Sequence, residues 1–222
     1  MSQSIALVFL GGLMAVLVWR LLRQTMHVQP WVAEAQGIEN AGREPSPPAA
    51  RIGLWVFLAV VTSLFALFIS AYTMRMELAD WQALPEPGLL WLNTAVLIVT
   101  SVVMQWTRAA AVHGRADGVR TGLVAGGALT FVFLAGQLVG WQQLNASGYL
   151  MAGNPANAFF YLLTALHAVH LLGGLVVWCR TAARMWHGVA LGELRLSVEL
   201  CTVYWHYLLL VWLVLFALLL ST

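Results

Sequence analysis

Apolar residues in this chain come in blocks, not in alternation. Six runs, 4–22, 52–74, 88–111, 121–144, 157–179 and 198–220, are almost free of charge. Each is about 19 to 25 residues long, which lets an α-helix cross a hydrocarbon core of roughly 30 Å. The pattern predicts an all-α, polytopic transmembrane bundle of six spans. The longest polar stretch lies between the first two runs and contains Pro45, Pro47 and Pro48, which oppose regular structure. The layout expected is an N-terminal transmembrane helix over 1–23, a cytoplasmic linker over 24–51 and a five-helix membrane domain over 52–222. Later connections are short and suit antiparallel neighbours. Gly122 and Gly126, then Gly136 and Gly140, repeat a spacing of four. Small residues so placed let helix backbones approach closely in lipid, so the helix over 121–144 is expected to lie among others.

Composition reinforces the pattern. Apolar residues make up 61% of the chain and charged residues only 9%, against about 25% charged in soluble domains. A water-soluble globule is excluded. The positive charges are all arginine, and their placement gives an orientation. With the N-terminus outside, Arg20, Arg23, Arg43, Arg51, Arg108, Arg115, Arg120, Arg180, Arg184 and Arg195 fall on the cytoplasmic side, and Arg75 alone falls outside. That asymmetry obeys the positive-inside rule and predicts that both termini are periplasmic. The first run is read as a retained helix, because its arginines follow the apolar stretch and do not precede it as in a signal peptide. No basic patch supports a nucleic-acid partner. Cys179 and Cys201 form no CxxC or zinc spacing and lie near the reducing face.

Polar groups within apolar helices are the informative exceptions, since an ionisable side chain at membrane depth is costly unless paired or neutral. Glu199, Thr202 and His206 stand at i, i+3 and i+7 on the last helix, while His167 and His170 share a face of the helix before it. Counted from the cytoplasmic ends, His170 and His206 each lie about 12 to 14 Å deep by helical rise, so the two are expected to meet. A facing pair of imidazoles could ligate haem or copper. The ordinary role of such residues is an interhelical polar cluster. That role is preferred, because bulky Tyr204, Trp205 and Tyr207 leave little room for a macrocycle. Gln137 and Asn93 receive the same structural reading. Glu199, near the boundary, is expected to meet water or Arg195 at i−4. Trp19, Trp81, Trp106, Trp141, Trp178 and Trp186 fall near helix ends, where an interfacial aromatic belt accounts for them. The chain has no Walker loop, HExxH or Ser/His/Asp arrangement, and no catalytic, cofactor-binding or metal residue is assigned.

Four ordered motifs carry a resemblance. The run 159–174, FFYLLTALHAVHLLGG, is similar to a phenylalanine-rich helix with two histidines three apart followed by glycine. Glu199 with Tyr204, Trp205, His206 and Trp212 resembles the closing helix of the same family. Leu90 to Thr94 after Pro85 and Pro87, and Gly53 to Ala59 with Ser70 to Tyr72, match two further segments. Over residues 52–220 the chain resembles subunit III of the haem-copper terminal oxidases, the cytochrome c and quinol oxidases. The resemblance implies a non-catalytic accessory subunit in a bacterial cytoplasmic membrane. It would hold no cofactor itself, pack against a subunit I that carries haem and copper, and bind phospholipid between its helices. Its task would be to support sustained turnover and proton uptake in aerobic electron transport. Val61, Gly140 and Leu209 stand where the family tends to place carboxyl groups. One helix precedes the five-helix core where the family has two or none. The subunit III-like accessory protein of nitric oxide reductases is the nearest alternative; a bis-histidine membrane haem protein is more remote.

Overall fold

The computed structural model describes residues 49–84 and 88–221. The predicted first helix and most of the linker lie outside these residues. Five α-helices and no strand are found among the described residues: α1 (Ala49–Arg75), α2 (Leu89–Val112), α3 (Ala116–Ala146), α4 (Pro155–Trp186) and α5 (Leu191–Leu220). All five are long and apolar enough to cross a membrane.

Four of the five helices are longer than the apolar runs that signal them, and α2 matches its run in length. α3 starts at Ala116 where the run starts at 121, α4 continues to Trp186 past 179, and α5 starts at Leu191 where the run starts at 198. The added turns carry Asp117, Arg120, Arg180, Arg184, Glu193 and Arg195. Hydropathy marks contact with hydrocarbon, whereas the backbone ladder continues into the polar layer until something ends it.

Glycine ends three of them. Gly114, Gly148 and Gly188 have φ of 70°, 86° and 77°, a left-handed conformation that only glycine adopts without cost. At each, two backbone bonds close the same cap. Arg115 N donates to Ala110 O and Gly114 N to Ala111 O; Tyr149 N to Leu144 O and Gly148 N to Asn145 O; Val189 N to Arg184 O and Gly188 N to Met185 O. This is the Schellman pattern, which satisfies carbonyls left open at a helix end. α4 is started by Asn154, whose Oδ1 accepts from Ala156 N at 3.1 Å, with Pro155 in the first turn.

The chain divides into two compact units, Met1–Leu67 and Phe68–Thr222, with the boundary inside α1. In the described part of the first, Leu58, Val61, Thr62 and Phe65 are buried while Val56, Val60 and Leu67 are exposed. One stripe of the helix is therefore covered. In the second unit, α2 packs on α3 and α5, and α4 packs on the same two helices, so α2 to α5 close a ring. Ala110, Ala111, Val119, Leu123, Ala182, Met185, Leu194 and Val198 form an apolar plug from all four helices at the arginine-rich end. At the other end, Asn154 Nδ2 donates to Gln82 O at 2.6 Å, and Tyr161 Oη donates to Tyr149 O at 3.0 Å. Tyr72, in the last turn of α1, packs edge-on against Trp81 and Phe159, with ring centroids at 4.9 and 5.5 Å.

Candidate functional site

The seam between α2 and α3 is built on glycine. A Cβ on Gly122 would lie 2.0 Å from Thr107 Oγ1, one on Gly126 2.9 Å from Met104 Sδ, and one on Gly136 2.1 Å from Asn93 Oδ1. At these positions α2 side chains lie directly on the α3 backbone, as the spacing predicts. Gly140 differs: its nearest neighbour would be Leu89 at 3.9 Å, an ordinary contact. The other faces of the ring use the same device. Gly127 lies under the Trp178 indole and Gly174 under Tyr204, with Cβ approaches of 2.3 and 2.6 Å.

Across these seams runs one repeated polar contact, an indole N–H donating to a threonine hydroxyl. Trp212 donates to Thr94 at 2.9 Å, Trp205 to Thr130 at 3.0 Å, and Trp141 to Thr164 at 3.1 Å. Each threonine hydroxyl also donates to a carbonyl of its own helix, Leu90, Gly126 and Phe160 respectively. The arrangement follows from the groups involved. An indole can only donate, and a hydroxyl whose proton is committed to the i−4 carbonyl still has lone pairs to accept. Trp178 makes a fourth tie, donating to Leu123 O at 3.1 Å. Trp141 and Trp178 were expected in an interfacial belt. Each instead turns its indole N–H to a neighbouring helix. Trp106 and Trp186 are exposed, at 44% and 53%.

The polar residues singled out in sequence divide into two groups. Thr202, Trp205, His206 and Glu199 on α5 reach neighbouring helices. The single proton of Thr202 Oγ1 is shared between Val198 O at 2.9 Å and Met104 O at 3.1 Å. His206 bonds to Ser101 through Nδ1 and to Gln105 Oε1 through Nε2, the latter at 3.2 Å. The expected contact between His206 and His170 gives way to this one. Tyr204, two residues earlier and so on the opposite side of α5, is the residue that reaches His170, donating to its carbonyl at 2.9 Å. His170 turns Nδ1 to the Leu166 carbonyl at 2.7 Å. Equal depth brought the two histidines together on paper; helical phase assigns them to different neighbours. Glu199 likewise meets another helix, with Arg108 Nη2 of α2 at 3.7 Å, where sequence spacing offered Arg195. Asn93, Gln137 and His167 form the second group. They are 2%, 2% and 0% exposed, and His167 packs against both Phe133 and Trp212, at 5.9 and 5.2 Å.

Outside the spans, Arg75 grips the Asp80 carboxylate with both guanidinium nitrogens, Nη1 to Oδ1 at 2.6 Å. The hydrogen bonds from Arg75 hold the Asp80 carboxyl below the usual carboxylate range. Among the described residues, no three His, Cys, Asp or Glu side chains stand together as metal ligands would.

A multi-pass helical bundle whose polar side chains tie helix to helix is the class that this geometry defines. The chain belongs to the cytochrome c oxidase subunit III family, whose sequence profile matches residues 49–221. It is 28% identical over 189 residues to a cytochrome c oxidase subunit 3 of Synechocystis, covering 81% of this chain and 78% of the relative. A probable cytochrome c oxidase subunit 3 of Nocardia farcinica is 26% identical over 193 residues, 85% of this chain and 94% of the relative. The subunit 3 of Thermostichus vulcanus is 29% identical over 178 residues, 76% and 85% of the two chains.

Proposed function

We propose that the chain is the accessory subunit of a haem-copper respiratory oxidase. It packs against the catalytic subunit I, which carries the haem and copper, and sustains turnover and proton uptake without taking part in the redox chemistry. The observation that carries this reading is the family match across all five described helices. The geometry supports it, because histidine, glutamate and tryptophan side chains at membrane depth are engaged in helix-to-helix contacts. In the same reading the protein lies in a bacterial cytoplasmic membrane with both termini periplasmic, phospholipid occupies grooves between helices, and the domain layout is 1–23, 24–51 and 52–222.

Purification from native membranes in mild detergent tests it. A haem- and copper-bearing oxidase subunit should co-purify, and the isolated chain should be colourless. A nitric oxide reductase catalytic chain as the only partner, or stoichiometric haem on this chain, overturns the reading. Removing the subunit should leave the partner's haem spectrum intact and shorten its active lifetime during turnover. An unchanged lifetime would count against the supporting role. Alkaline phosphatase fusions report the orientation: inactive at Glu44 and active after Thr222 is the outcome expected.

A further inference from the structure

Inside the α2 to α5 ring, an amide on α3 and an imidazole on α4 are buried with no protein group to bond. Both amide atoms of Gln137 and both ring nitrogens of His167 are buried without a hydrogen-bond partner, and so is Nδ2 of Asn93. Gln137 and His167 occupy one layer. On α3, Phe133, Gln137 and Trp141 follow at intervals of four and so share a face. Phe133 meets His167 with ring centroids at 5.9 Å, and Trp141 bonds to Thr164. Thr164 and His167 are themselves one turn apart on α4. Gln137 thus lies between the two contacts that fix α3 on this part of α4. Asn93 arrives at the same level from α2, its Oδ1 seated over Gly136, the residue before Gln137. Trp212 closes the layer from α5, its ring 5.2 Å from His167 and its indole N–H held by Thr94.

Helix N–H groups are engaged in their own ladders and cannot donate to these atoms, and although helix carbonyls elsewhere in the ring accept a second bond, none is placed to accept from these. The donors and acceptors are mixed. A primary amide brings both, as does a neutral imidazole, and Asn93 adds a donor. An acyl chain would leave all of them unpaired. Water, with two protons and two lone pairs, matches the set, and buried waters ordinarily bond to about three such groups.

We propose that Gln137 and His167, with Asn93 Nδ2 as a further donor, bind an enclosed water between α3 and α4. The site rests on the interior of the second unit alone, while the retention measurement below rests on the oxidase reading and the density peak does not. It is a fixed hydration site inside the ring. The water links α3 to α4 where the indole–threonine bonds stop.

A structure of the intact complex at a resolution that shows ordered water tests the proposal directly. The expected result is a density peak within about 2.7 to 3.2 Å of both the Gln137 amide and the His167 ring. A dry layer with the two side chains bonded to each other overturns it, as does elongated density of a lipid tail. Substitutions give a second readout, the fraction of subunit retained on the complex after a detergent challenge. Gln137→Leu and His167→Phe should each lower retention, because each strands the water and the other partner. The double variant should retain more than either, since removing both polar partners also removes the unsatisfied group. Additive losses in the double variant contradict a shared water.

Discussion

At the residue scale, the seam glycines show how narrow the tolerance of this ring is. A methyl group on Gly122 would meet Thr107 Oγ1 at 2.0 Å. Both atoms belong to helices held by further contacts on either side, so the clash is not relieved by a rotamer change alone. Gly122→Ala should destabilise the bundle by about 1–3 kcal/mol, the ordinary range for overpacking, read as a lower midpoint in thermal or denaturant unfolding. Thr107→Ala on that background should restore part of the loss, and a double variant no better than Gly122→Ala would show that the contact is not limiting. Single-residue meaning was only partly legible in the sequence. The spacing of Gly122, Gly126 and Gly136 announced a close seam, but nothing local distinguished Gly140, which has room. Trp141 and Trp178 resembled belt residues because both sit near the ends of apolar runs; only the packed ring shows their threonine and carbonyl acceptors. Asp80 carries a prediction of a different kind. Its pairing with Arg75 depresses its pKa, so the pair's contribution is present above the ordinary aspartate value of about 3.9 and is lost as pH falls through the lowered one. Amide protection across residues 76–82, corrected for the intrinsic slowing of exchange in acid, should therefore fall as the pair is lost, and Asp80→Asn should abolish that pH dependence.

At the element scale, the sequence named the helices and misplaced their ends. The apolar runs located the centres of α1 to α5, since hydropathy responds to hydrocarbon contact. α3 and α5 begin, and α4 ends, in charged turns beyond those runs, and the residues that stop α2, α3 and α4 are Gly114, Gly148 and Gly188, not the first arginine. Those glycines follow His113, Ser147 and His187 in short loops, so the stop signals were present, but the edges of the apolar runs took precedence over them. The start of α4 is the most exposed to a single change. Asn154 accepts from Ala156 N and donates to Gln82 O, so one side chain both caps the helix and ties the α1–α2 connection to it. Asn154→Ala should cost about 0.5–2 kcal/mol, the range for losing a cap, and should speed hydrogen exchange in the first turn of α4 and near residue 82 together. Asn154→Asp keeps the acceptor and loses the amide donor; it should protect the first turn while releasing the loop. Equal exchange at both places in the two variants would mean that the tie is not made through this side chain.

At the scale of the whole molecule, the ring explains why the last helix carries so many polar residues. α5 packs on both α2 and α4, and its side chains alternate between them: Tyr204 toward α4, His206 and Thr202 toward α2. Glu199, Thr202 and His206 share one stripe, as their spacing predicts, yet the contact expected for His206 was His170 on α4, because depth can be read from residue counts and helical phase relative to a neighbour cannot. This reassignment changes what His206→Leu should do. It removes the partner of Ser101 and Gln105, so the α2–α5 seam should loosen, while the bond from Tyr204 to the His170 carbonyl remains. Glu199 follows the same logic. Its contact with Arg108 spans 3.7 Å between partly exposed side chains, and exposed pairs contribute about 0–1 kcal/mol. Glu199→Gln in the assembled oxidase should leave both subunit retention and the rate of proton uptake nearly unchanged, whereas His206→Leu should reduce retention in detergent. The pair of variants separates two roles for the stripe. Slower proton uptake in Glu199→Gln with the subunit fully bound would make that carboxylate part of a proton path. Unchanged retention in His206→Leu would mean that the remaining α2–α5 contacts, among them Thr202–Met104, Trp212–Thr94 and Glu199–Arg108, suffice to hold that seam.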